Sequence, residues 1–304
     1  SMTTTTPTVS AAVDRSSATP AWLLLSRIEM IRYARRPAFL FGAVLTLAAL
    51  LPYLDPAEPV DELSMIAPAA LIGLIGITLS AQRVWASDRC ADAAGSTPVP
   101  MATRTLAHLA ACLVPFTVGL VFVTVSYARY LTDPPPPSGY AALMSDGWVL
   151  AAWFALGAVS CLGGPILGVL IARMTDRRAA PILLSVGLVA LAIVFQGLFE
   201  PLRRIRVFMP WTYWGGPFGI DGDPQRSMVF SGSPHWWAVY LLVLCAIAAL
   251  VALRRDHTWR SRRNGIALAA LVVIVVLTCL AAMWTGTPVT VVNPLPGDGT
   301  SWGG

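Results

Sequence analysis

The side chains with chemical potential gather in one polar segment, Gln82–His108 (QRVWASDRCADAAGSTPVPMATRTLAH), set between two long apolar runs. Asp88, Asp92 and His108 could move protons or ligate a metal. Arg83, Arg89 and Arg104 could meet a charged partner. No motif joins them into a catalytic set. The Gly95-Ser96-Thr97-Pro98 break and Pro100 instead mark a stiff turn. Of five cysteines, Cys112, Cys161, Cys245 and Cys279 fall in apolar runs and Cys90 falls in the polar segment. No CxxC or Cys/His spacing points to a metal site or a disulfide framework. The expected metal ligand set is therefore none, and the segment reads as a place to be pushed rather than a place of reaction.

The elements that position this segment are membrane spans. The chain has 304 residues, 56% hydrophobic and 12% charged. Soluble domains carry about 25% charged residues. The apolar residues come in blocks of roughly 20 separated by charged stretches, the pattern of a multi-pass helical protein. The fold class expected is all-α and polytopic. Seven spans are predicted: Phe39–Leu54, Leu63–Ala81, Leu106–Tyr130, Gly147–Ile171, Ala179–Phe199, Trp237–Leu253 and Ile266–Trp284. Residues 1–20 read as disordered and 21–37 as an interfacial amphipathic helix. Residues 38–255 form the six-span body, 256–284 a basic loop and extra span, and 285–304 an outer tail. In the interfacial helix Glu29, Arg32, Arg35 and Arg36 share an arc. Trp22, Leu23, Met30 and Ile31 lie largely opposite, with Arg27 intruding on the apolar side.

All 21 basic residues are arginine. The absence of lysine fits a high-GC bacterial genome, such as an actinobacterium's. With the amino terminus inside, the inner segments carry Arg15, 27, 32, 35, 36, 83, 89, 104, 173, 177, 178, 254, 255, 260, 262 and 263. The outer ones carry Arg129, 203, 204, 206 and 226. The positive-inside rule then puts the amino terminus and the 82–104 segment in the cytoplasm and the tail outside, in a plasma membrane. The net charge of +5 follows from this topology, not from nucleic-acid binding.

The predicted span interiors hold no Asp, Glu, Lys or Arg. Ion-coupled transporters place such groups at mid-membrane. Intramembrane hydrolases need a nucleophile with a base, or a metal cluster. A GxxxxGK[ST] phosphate loop does not occur. These features point to a membrane subunit driven by a separate ATPase.

The layout resembles an ABC-2 type ABC exporter permease. A basic helix, RIEMIRYARRP (Arg27–Pro37), leads into the first span. The segment DRCADAAGSTPVPMATRTLAHLAA (Asp88–Ala111) sits between spans two and three. There Asp88, Asp92, Gly95, Thr97, Pro98, Val99 and Arg104 occupy the places of that family's acidic, Gly-containing stretch, Thr-Pro turn and basic residue. Asp88 stands where the family often has Glu. The likeness covers about residues 22–255, and the seventh span and tail are additional.

The resemblance implies a dimer with a second permease copy or a paralogue, and an ABC ATPase beneath that holds the ATP and magnesium. This chain itself would carry no cofactor and no enzymatic activity. The 82–104 segment would dock as a coupling helix through Arg83, Asp88, Arg89, Asp92, Gly95, Thr97, Pro98 and Arg104. The amino-terminal helix would clasp the ATPase through Arg27, Glu29 and Arg32. The cargo would be amphipathic: a drug-like natural product, a peptide or a lipid-linked molecule. The readings kept beside this one are an ATP-independent secondary transporter, and a membrane-embedded enzyme of lipid metabolism or scaffold.

Two further constellations stand out. Gly163-Gly164-Pro165 and Gly168 combine a kink with a small-xxx-small face, for a translocation path, a dimer seam or packing within the subunit. Gln196 is the one strongly polar side chain deep in the fifth span. The 200–236 connection carries Trp211, Trp214, Gly215 and Gly216, suited to an outer re-entrant hairpin at headgroup level. Its Arg203, Arg204 and Arg206 suit lipid headgroups or the guidance of an anionic or amphiphilic cargo outward.

Overall fold

The apolar runs become helices wherever Ala, Leu, Val and Ile follow a break made by Pro or a Ser cap. The computed structural model describes residues 20–54, 65–93, 99–132, 145–196, 202–210, 218–220, 223–229, 232–286 and 290–292. In chain order the helices are α1 (Ala21–Ala34), α2 (Pro37–Ala48), α3 (Ile66–Cys90), α4 (Met101–Thr132), α5 (Asp146–Met174), α6 (Ala180–Gln196), α7 (Pro234–Leu253) and α8 (Arg262–Trp284). Ser145, Ser233 and Ser261 cap α5, α7 and α8, each side-chain oxygen accepting a backbone N–H of the first turn.

Five of these, α3, α4, α5, α7 and α8, are long and apolar enough to cross a membrane. The first and fifth predicted spans are shorter apolar helices among the described residues. The predicted first span is a helix of 12 residues, about 18 Å at the α-helical rise, against a hydrocarbon core of about 30 Å. The described part of the predicted fifth span is a helix of 17 residues, about 26 Å long, and 197–199 lie outside the described residues.

A correction concerns the polar segment. It is not a loop from Gln82. The second span runs on as α-helix to Ala93, and α4 begins at Met101. Ala81 and Val84 are fully buried on the continuing helix, so the segment has an apolar stripe beneath its charges. Pro100 then stands at the N-cap of the next helix. In α4 the helix breaks at Cys112, where Pro115 has no N–H to offer the carbonyl of Ala111.

α5 is the centre of the body, with 72% of its membrane-length window buried against 17% for α8. Its contacts with α3 are the most extensive of any pair, followed by its contacts with α7. Between apolar helices in lipid the gain comes from close packing rather than from leaving water. Small residues, Ala152, Ala155, Ala158, Gly164, Gly168 and Ala172, supply part of the buried surface of α5. Its own Trp148, Trp153, Leu156 and Val169 add to that surface, with Trp237, Phe122 and Ile77 of neighbouring helices packed around them.

Both helices of the central pair carry a π-helical turn, Ala69–Leu74 in α3 and Phe154–Val159 in α5. The Ser160 hydroxyl donates to the carbonyls of Leu156 and Gly157, and the Cys161 thiol donates to Gly157 O at 3.1 Å and to Pro68 O of α3 at 3.3 Å. Side chains thus serve carbonyls where the regular ladder is interrupted.

At the end opposite the basic loops, Leu202–Phe208 forms a 3-10 turn seated on α7. Trp237 Nε1 donates to Val207 O at 3.1 Å and Tyr240 Oη to Phe208 O at 2.7 Å. Short strands β1 (Phe218–Ile220), β2 (Asp223–Val229) and β3 (Thr290–Val292) pair antiparallel in that order. Ser227 faces Val292 and Val229 faces Thr290. This pairing ties the connection before α7 to the tail after α8, two pieces that the sequence reading kept apart. Trp211, Trp214, Gly215 and Gly216, the expected re-entrant hairpin, lie outside the described residues.

Candidate functional site: a charged network at the basic end

Glu29 is the pivot of α1. Its side chain is buried, turned toward α4 rather than outward. Its carboxylate accepts from Arg32 at 3.2 Å and from Arg83 of α3, and His108 Nδ1 of α4 lies 3.6 Å away. Tyr33 and Ser26 are buried on the same side, while Trp22, Leu23, Leu24 and Ile31 are exposed. The helix therefore presents apolar side chains to its surroundings and polar ones to the protein. That reverses the expected arrangement at Glu29, while Arg27, Arg32 and Arg35 remain exposed.

Asp88 is the second pivot. One oxygen accepts from Arg104 Nη1 at 2.7 Å and the other from Arg173 Nη1 at 2.5 Å. Arg173 closes α5 with its side chain only 3% exposed, and its Nε donates to the Thr105 hydroxyl at 2.9 Å. Arg255, in the turn between α7 and α8, donates to the carbonyl of Arg173 at 3.2 Å. One carboxylate thus holds α3, α4 and α5 together.

Asp256 is the third. It is buried, and its Oδ2 accepts the backbone N–H of Ala102 at 2.7 Å, in the first turn of α4. Its Oδ1 accepts from the Thr258 N–H and hydroxyl, both at 2.9 Å. A helix start leaves its first N–H groups without intrahelical partners and favours a negative charge. Burial pushes the Asp256 carboxyl up. The hydrogen bonds from Thr258 and Ala102, with a smaller effect of His257, outweigh burial and hold it below the ordinary aspartate value of 3.8.

A group depressed in the folded state stabilises the fold above its unfolded pKa. That contribution is lost as pH falls from 3.8 through the folded value. Asp256→Asn is expected to cost roughly 1–2 kcal/mol at neutral pH. It should also flatten the acid limb of a thermal-stability profile recorded between pH 3 and pH 7.

The sequence-predicted coupling residues divide into three groups. Glu29, Arg83, Asp88 and Arg104 are brought together, but in pairs within the chain. Arg27, Arg32 and Arg89 face outward, Arg32 with 61% of its side chain exposed. Asp92 lies in the last helical turn before Ala93, and Gly95, Thr97 and Pro98 fall outside the described residues.

Gly164 and Gly168 face α3 of the same chain. A Cβ on Gly164 would stand 1.8 Å from Gly73 O, and one on Gly168 2.2 Å from Ile77 O. Pro165 packs on Gly76, whose Cβ would be 2.7 Å from Pro165 Cγ. Of the alternatives left open for these residues, the seam they fill is internal to the subunit. Gln196 is the last described residue of α6.

Sequence reasoning missed Arg173 and Asp256 as members of the network. The signal for Asp256 was present: it is the one acid among Arg254, Arg255, Arg260, Arg262 and Arg263. No group of three or more His, Cys, Asp or Glu that could hold a metal occurs among the described residues.

No family model, curated protein or solved structure matches the chain.

Proposed function

We propose that the chain is the membrane subunit of an ATP-driven exporter, moved by a separate ATPase that docks on its basic end. The observation that carries this reading is the network itself. Asp88, Glu29 and Asp256 fasten the basic ends of α1, α3, α4 and α5 and the α7–α8 turn into one block. A push delivered near the α3–α4 connection therefore reaches α5, the most enclosed of the spanning helices. The exposed guanidiniums of Arg27, Arg35 and Arg89 line that block for an acidic partner surface. In this reading the basic end is cytoplasmic, the unit works as a homodimer or with a paralogous permease, and the cargo is amphipathic.

The corrected geometry changes the role of the polar segment within the proposal. Asp88, Arg104, Glu29 and Arg83 stiffen the block, and the arginines around them make the contact. The test is purification in mild detergent from the native host, with mass analysis of what accompanies the chain. A stoichiometric partner carrying a phosphate-binding loop is the expected result. A chain that purifies alone and transports cargo in vesicles without ATP contradicts the proposal and favours a secondary transporter.

A further inference from the structure

A cleft opens beside the network, along α3. Its polar part is a cavity of about 310 Å³ lined by Arg36, Arg89 and Arg178, with Gln82, Trp85 and Thr78. Thr78 also lines a second, apolar groove of about 580 Å³ between α3 and α6, walled by Leu74, Ile182, Val186, Val189 and Ile193. The two adjoin at Thr78, which lines both.

The charge in the polar part is one-sided. Arg36 donates to Leu79 O at 3.2 Å and to Gln82 Oε1 at 3.4 Å. Among the described side chains no carboxylate pairs with Arg36, Arg89 or Arg178. Partial burial and the neighbouring Arg83 guanidinium push Arg36 down from the usual arginine value, against smaller opposing effects of Tyr33 and Glu29. The groove supplies the other half of an amphiphile's needs. From Ile182 to Ile193 it runs about 16 Å along α6, the depth of one leaflet of a bilayer whose hydrocarbon core is about 30 Å. Val186 and Ile193 are among the most exposed apolar side chains of the chain.

We propose that this cleft holds one anionic phospholipid from the leaflet at the basic end. Its phosphate rests on Arg36, Arg89 and Arg178, and one acyl chain fills the groove between α3 and α6. Charge complementarity selects the headgroup, and the length of the groove selects a chain rather than a free anion. The site lies where α6 meets the α3 end of the network. A bound lipid would therefore brace α6, the short helix that has few other contacts with the body. The inference does not rest on the exporter reading and holds for any function of the chain.

Native mass spectrometry of the full chain in mild detergent tests it, with phosphatidylglycerol and phosphatidylcholine of the same acyl composition as probes. Phosphatidylglycerol is expected to bind more tightly. The joint variant Arg89→Gln with Arg178→Gln should weaken it about 30-fold, the factor that two interfacial arginines supply. Both side chains are exposed and hold no other element in place, so the variant should keep its melting temperature.

Val186→Trp fills the groove and should reduce binding of phosphatidylglycerol with the arginines intact. Equal binding of the two lipids overturns the proposal. So does full displacement of phosphatidylglycerol by inorganic phosphate, which would mark a site for the free anion. A Val186→Trp variant that changes oligomeric state while binding lipid normally would assign the groove to a second copy of the chain.

Discussion

Alanine at Gly164 or Gly168 forces α3 and α5 apart and is expected to cost the protein about 3 kcal/mol or more at either position. The reason is geometric. The new methyl would sit 1.8 Å from Gly73 O at the first position and 2.2 Å from Ile77 O at the second. Both obstacles are backbone, which cannot swing aside as a side chain can. The helices can relieve the clash only by separating, and that strips contact along the most extensive seam of the body. A membrane helix pair has no hydrophobic force to close the gap again.

Gly187 on α6 is the control, because a Cβ there meets nothing within 4 Å. Its replacement by alanine should be neutral or stabilise by up to about 1 kcal/mol, the ordinary helix preference. Apparent melting temperatures of the three variants in one detergent would check the contrast. Equal losses at all three would mean that the α3–α5 seam is not as close as described.

Asp88→Asn is expected to destabilise more than Arg173→Met, although both remove the same ion pair. Losing Asp88 leaves the Arg173 guanidinium, 3% exposed, with the Thr105 hydroxyl as its one hydrogen-bonding side-chain partner among the described residues and Asp256 as its more distant counter-charge. An uncompensated buried charge costs roughly 3 kcal/mol or more. Losing Arg173 leaves Asp88 paired with Arg104 and 27% exposed to solvent, a smaller penalty. The double variant should therefore be more stable than Asp88→Asn alone. A double-mutant cycle measured by thermal unfolding decides this. Additive losses would show that the two groups do not share one buried interaction. The cycle also separates two roles for Asp88, since a surface docking residue would change partner binding and leave melting unaffected.

How much of this was legible in the sequence depends on what each residue type signals by itself. Runs such as IALAALVVIVVLTCLAAMW announce a spanning helix through length and composition, and α8 lies where that run does. The small residues of α5 announced a close helix contact. Spacing alone could not say whether the partner was α3 or another subunit, because Gly73 and Ile77 carry no mark of their own.

The polar segment was misread for a physical reason. Arg83, Asp88 and Arg89 look solvated, yet Ala81 and Val84 share the helix and bury its other face. A half-buried charged helix and a charged loop differ little in composition. Pairings such as Asp88 with Arg173, or Asp256 with the Ala102 N–H, join residues 85 and 154 positions apart. No local pattern reports them. The exposed arginines were legible as a basic face, and their convergence on a cleft that also offers an apolar groove was not.

The central claim is that a separate ATPase sits against the basic end. Cys90 offers direct access to it. It is exposed at the end of α3, while Cys112, Cys161, Cys245 and Cys279 are buried. A thiol-reactive photo-crosslinker added to native membranes would therefore label the unaltered chain at one position. On illumination the predicted product is a covalent pair with a chain that carries a phosphate-binding loop, its yield changing when ATP is added. Capture of nothing but lipid or further copies of this chain, with transport continuing in ATP-depleted vesicles, would contradict the account.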